Sequence, residues 1–115
     1  KILEHVREVG PYFEEQLKTM NSHYMVGDVR GSHYMLCMEF VKTRHNKELF
    51  PASVNIGGRI ANHAQNRGVI IRPIDHLNVI SPPLTLTKEN IDHMMVVLHA
   101  SINATEADLK KEGIL

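Results

Sequence analysis

The stretch GVIIRPIDHLNVISPPLTLTKENID, residues 68–92, decides the reading of the fold. Three consecutive β-branched residues, Val69, Ile70 and Ile71, followed by Arg72, predict a short buried strand over 69–72. Residues 73–76 read as a turn, and residues 77–81 as a second strand. Ser81-Pro82-Pro83 stops that strand, because proline has no N–H to give to a ladder. Thr87 is placed as an amino-terminal cap for a long helix whose first turn carries Glu89 and Asp92 and whose last turn carries Lys110 and Lys111, each set complementing the helix dipole. Ile91, Met94, Met95, Leu98, Ile102 and Leu109 form its apolar stripe, and Gly113 ends it. Arg72 stands out, since a guanidinium at the end of a buried strand needs a partner. Two readings are open: a structural salt bridge, for instance to Asp75, or a planar fork waiting for a carboxylate, a geometry that suits arginine and not lysine.

Working outward, Val6, Val9, Phe13, Leu17 and Met20 recur three or four apart and predict a helix over residues 1–20. At Gly10-Pro11 that helix either bends or restarts with proline in its first turn, and Asn21-Ser22 ends it. Residues 24–42, rich in Val, Met and aromatic residues and broken at Gly31-Ser32, read as two strands, the second over 34–41. A polar loop follows from 42 to 48 and closes at Phe50-Pro51. Ile56, Ile60, Ala61 and Ala64 predict a helix over 53–67, with Gly68 as a left-handed cap. The order helix, strand, strand, helix, strand, strand, helix gives one α+β domain, with a small, mainly antiparallel sheet of about four strands and helices on one face.

The 115 residues suffice for one domain and not two. Thirteen basic and thirteen acidic residues are interspersed, which argues against a nucleic-acid footprint or an anionic-membrane partner. No apolar run approaches the roughly 18 residues of a membrane span, and the first residues lack a signal-peptide core. A single cysteine, Cys37, excludes an internal disulfide and points to a reducing, cytoplasmic setting. Flanked by Leu36 and Met38 with no basic neighbour in sequence, Cys37 reads as a small hydrophobe rather than a nucleophile. None of the eight histidines is spaced i, i+4 with a carboxylate partner as a zinc motif requires, so no metal ligand is assigned. No Walker, dinucleotide or nucleophile-elbow motif occurs, and no residue is nominated as catalytic. The start, without Met and already on an amphipathic face, reads either as a cut through a helix of something larger or as the start of a processed small protein.

Residues 68–92 resemble the carboxy-terminal signature of class III, omega-amino acid:pyruvate transaminase-like aminotransferases: a strand ending in Arg-Pro, a hairpin, then Ser-Pro-Pro-Leu leading through a Thr cap into the last helix. Val26-Gly27-Asp28-Val29-Arg30-Gly31, with Glu39 beyond, is similar to the family's preceding hairpin, and residues 5–17 to the helix that enters the domain. The resemblance covers nearly the whole chain in the family's order. It implies that residues 1–115 are the carboxy-terminal small domain of a fold-type I pyridoxal-phosphate enzyme, a homodimer whose large domain carries the cofactor on its lysine. The full enzyme would move an amino group from an amino acid or amine to pyruvate or another keto acid, and this piece alone would be inactive. By matching position, Arg72 would grip the substrate carboxylate. None of Lys1, Lys18, Lys42, Lys47, Lys88, Lys110 or Lys111 sits in an apolar context suited to a Schiff base. Two departures stand out: His33 and Cys37 occupy positions where the family usually has glycine, and Asp75-His76 replaces a common Gly-Asp. A free-standing α+β anion-binding or regulatory module, with Arg72 as the anion receptor, is the competing reading.

Overall fold

The computed structural model describes residues 1–115. Helix α1, Ile2–Lys18, passes through a 3-10 turn at Thr19–Ser22 into strands β1, Val26–Ser32, and β2, Met35–Phe40. Helix α2, Ile56–Asn66, crosses over to β3, Arg72–Ile74, and β4, Leu77–Ile80, and α3, Lys88–Lys111, completes the chain. The sheet is antiparallel throughout with strand order β1-β2-β4-β3. The expected α+β class and element order stand, one local expectation changes, and one pair of alternatives is narrowed.

The change concerns the strand before the turn. Residues 69–71 lie outside the ladder and β3 begins at Arg72 rather than ending there. Nor is it buried: Ile70 is 84% exposed, and Arg72, Pro73 and Ile74 are all exposed, with only Ile71 inside the core. The reason is position, since β3 is an edge strand, where Pro73 can be tolerated because one side of the ladder is unpaired. The narrowed pair concerns Pro11. Of the two outcomes expected there, the helix does not restart: α1 is continuous, with Pro11 exposed and the buried stripe of Val9, Gly10, Phe13 and Leu17 undisturbed.

Alternation along the strands divides the sheet into two faces. Leu36, Met38 and Phe40 of β2 and Asn78 and Ile80 of β4 are buried under the helices. In β1, a bulge between Val26 and Asp28 resets the alternation so that both Val26 and Val29 point into the core while Asp28 and Arg30 point away. Helix α2 lies against the β3–β4 hairpin almost backbone to backbone, because a Cβ on Gly57 would fall 2.4 Å from Asp75 O and 2.9 Å from Leu77 O. The buried Asn78 side chain sits at the same contact, donating to Gly57 O at 3.0 Å. Helix α3 is started by a capping box in which the Asn90 N–H donates to Thr87 Oγ1 and the Thr87 N–H donates to Asn90 Oδ1.

Candidate functional site on the open face of the sheet

The face turned away from the helices is read from the pairing register. Residues directly opposite share a face, so Arg30, Cys37, Val79 and Arg72 form one row across all four strands. Asp28, Glu39, Leu77 and Ile74 form the adjacent row. At about 4.8 Å per strand, the two arginines stand roughly 14 Å apart at the backbone. They are in different electrostatic states.

Arg30 is held between two carboxylates, its Nη1 donating to Asp28 Oδ2 at 3.0 Å and to Glu39 Oε1 at 3.1 Å. These bonds raise the Arg30 pKa further above its ordinary value. The second oxygen of Glu39 lies 2.8 Å from His76 Nε2, and the His76 bond followed by the Arg30 bond keeps the Glu39 carboxyl below its usual range against the opposing effect of burial. Arg72 belongs to none of the chain's ion pairs. The salt bridge to Asp75 is not formed: Asp75 is an exposed turn residue with a left-handed backbone, φ 52°, and Arg72 is itself exposed. The physical premise that a buried charge must be paired therefore does not apply at Arg72. Arg72 instead lines an open cleft of about 350 Å³, whose other walls include Ile71, Val79, Ile80, Pro82 and Met94. An apolar cleft with one cation at its rim can orient a small carboxylate that carries an apolar or neutral remainder.

The other candidates take definite places. Cys37 is half-buried on the open face, and burial pushes its thiol up even though Arg30, its neighbour across the strands, pulls the other way. The sequence shows no basic residue beside it, and strand pairing supplies one. The bulk at His33 faces the helix layer. Its N–H donates to Glu14 Oε2 at 2.8 Å, its Nδ1 lies 2.8 Å from the same oxygen, and its ring fills the space left by Gly10. The turn keeps a glycine-like backbone there, φ 49°, so the substitution repacks α1 against the hairpin and leaves the cleft unobstructed. Of the seven lysines, six are exposed and Lys42 is half-exposed; Lys88 lies over the Tyr12 ring at 5.3 Å and Lys110 pairs with Glu106. None borders the Arg72 cleft.

Sequence reasoning missed the Asp28–Arg30–Glu39–His76 chain and a contact between His23 and His99. The signal for the first was available in part, since Asp28, Arg30 and Glu39 are polar residues inside strands. Pairing them required the bulge, which sequence alternation does not announce.

The fold and the site together define a small α+β domain that presents an unpaired arginine, Arg72, at a cleft along the β3–β4 edge of its sheet, beside α3. Residues 1–102 match the family model described as aminotransferase class-III. A protein described as uncharacterized aminotransferase y4uB of Sinorhizobium fredii is 36% identical over 110 residues, which is 93% of this chain and 24% of the relative. The omega-transferase structure from Vibrio fluvialis JS17 superposes with a TM-score of 0.92 at 32% identity, covering 96% of this chain and 26% of that one. The PMP-bound form of an aminotransferase from Vibrio fluvialis gives a TM-score of 0.88 at 33% identity, covering 92% of this chain and 24% of that one. The chain belongs to the class III aminotransferase family and spans about a quarter of the length of these relatives.

Proposed function

We propose that residues 1–115 are the carboxy-terminal small domain of a pyridoxal-phosphate-dependent transaminase, and that Arg72 binds the carboxylate of its substrates. The reaction moves an amino group from an amino acid or amine to pyruvate or another keto acid. The observation that carries this reading is the contrast between two arginines on one sheet face: Arg30 is neutralised by Asp28 and Glu39, while Arg72 is unpaired at the rim of an apolar cleft.

The cofactor, when bound, supplies the electron sink for transamination, and the residues that hold it lie in the remaining polypeptide. What this chain contributes is orientation and charge. The Arg72 guanidinium offers two parallel N–H donors to a carboxylate, and the walls formed by Val79, Pro82 and Met94 keep water from competing at one side. The open sheet face docks toward the rest of the subunit, which completes the cleft. The whole enzyme is a homodimer, and the single cysteine accords with a cytoplasmic setting.

The experiment is Arg72→Ala in the full-length enzyme. KM for pyruvate or an amino-acid donor should rise about 30- to 150-fold, from the loss of about 2–3 kcal/mol of charge-assisted contact. KM for an amine without a carboxylate should change little. Equal losses for both substrate types remove the role assigned to Arg72.

A further inference from the structure

The hairpin that carries Arg72 is weakly built along its outer side. Strand β3 is three residues long, all exposed, and pairs only with β4. Pro73 gives it no donor, and Asp75 in the turn adopts a left-handed backbone that a non-glycine residue takes at a cost. Something must restrain this edge if Arg72 is to meet a substrate within the few tenths of an ångström that productive alignment demands. Two bonds from one residue meet that need. The Phe40 N–H donates to His76 O at 2.9 Å, and the His76 ring nitrogen Nε2 lies 2.8 Å from Glu39 Oε2. His76 is thus tied to two consecutive residues of β2 across the end of β4. Glu39 is in turn braced from the other side, because its second oxygen accepts from Arg30 on β1.

We infer that Glu39 and His76 are positioning residues for the carboxylate-binding arginine: the bridge Arg30–Glu39–His76 straps the edge hairpin to the middle of the sheet and so sets where Arg72 stands. The inference rests on the reading of Arg72 given above and extends it to residues that touch no substrate. Glu39 and His76 are each 28% exposed at the side chain, partly withdrawn from water, which lets a single pairing restrain the turn. Glu39 has a second consequence. By occupying Arg30, it leaves Arg72 as the one uncommitted guanidinium in that row of the face, so a carboxylate finds a single cationic partner there.

The test uses the full-length enzyme with Glu39→Gln, His76→Asn, Arg72→Ala and the double variants. Glu39→Gln and His76→Asn should each raise KM for pyruvate or an amino-acid donor by about three- to tenfold, the equivalent of one ordinary hydrogen bond, since the effect reaches the substrate only through Arg72. KM for a carboxylate-free amine and kcat should stay within about twofold in either variant. In the Arg72→Ala background neither substitution should add a carboxylate-specific effect, because the residue being positioned is gone. Amide exchange in the 74–77 turn should quicken in both single variants, a readout independent of turnover. If Arg72→Ala shows the carboxylate-selective defect while Glu39→Gln and His76→Asn show none, the strap is overturned and the Arg72 reading survives. If Arg72→Ala itself shows no selectivity, the underlying reading fails first. Losses of equal size for both substrates in Glu39→Gln would mark a general structural role and also overturn the proposal, with His76→Asn as the gentler variant should Glu39→Gln fold poorly.

Discussion

At the scale of single residues, histidines do much of the work of joining elements, and two of them meet without a carboxylate between them. His23 Nε2 lies 2.7 Å from His99 Nδ1, His99 Nε2 lies 3.3 Å from Thr19 Oγ1, and the Thr19 hydroxyl donates to Gln16 O at 2.6 Å. Burial, and then repulsion from a charged His99, lower the His23 pKa below 6.5, with Glu106 opposing. The unfolded chain therefore takes up this proton more readily than the folded one. The stability contributed is complete above the unfolded value of 6.5 and declines as pH falls from there toward the lowered folded value. Thermal unfolding between pH 7.5 and 5 should show a loss that His23→Gln reduces; an unchanged pH slope in the variant would exclude the pair as its source. His33 offers a second residue-scale test. A Cβ at Gly10 would lie 2.4–2.8 Å from the His33 side chain. Gly10→Ala should cost about 1–3 kcal/mol from overpacking, although alanine favours helix. In a His33→Gly background the same change should become neutral or stabilising, which urea midpoints of the single and double variants would reveal.

At the scale of elements, the α2–hairpin contact is the one most sensitive to added atoms. Gly57→Ala places a methyl against two backbone carbonyls, which cannot rotate away as a side chain can. The expected cost is about 2–3 kcal/mol, together with a displacement of the β3–β4 hairpin that raises KM for carboxylate substrates. A chemical denaturation curve and steady-state kinetics on the same preparation would check both. Loss of the α3 capping box by Thr87→Ala should cost about 1 kcal/mol and leave the Arg72 cleft unaltered, so kinetics and stability should separate in that variant. The elements themselves were largely legible, because α2 and α3 carry their apolar residues at helical spacing and announce their ends by Gly68, Thr87 and Gly113. The strand before the turn was misplaced for a physical reason. Val69-Ile70-Ile71 have strand propensity, but propensity cannot tell a paired edge from the unpaired approach to it, and here the ladder begins only at Arg72.

At the scale of the whole molecule, one sheet face is covered by three helices and the other is open, with Met35 64% and Ile74 41% exposed beside Cys37, Leu77 and Val79. An uncovered face of this kind should make the isolated 115-residue chain self-associate, eluting above its 13.1 kDa mass on size exclusion, and Met35→Lys with Ile74→Lys should return it toward monomer. The amino-acid sequence alone determined the element order, the helix ends, the α+β class and the singling out of Arg72, since each depends on residues close together in the chain and on the chemistry of one side chain. Strand order, the bulge that turns Asp28 toward Glu39, the pairing of Arg30 and the freedom of Arg72 were decided only by the tertiary structure. Register sets which side chains share a face, and a shift of one residue exchanges the two faces without altering any local preference.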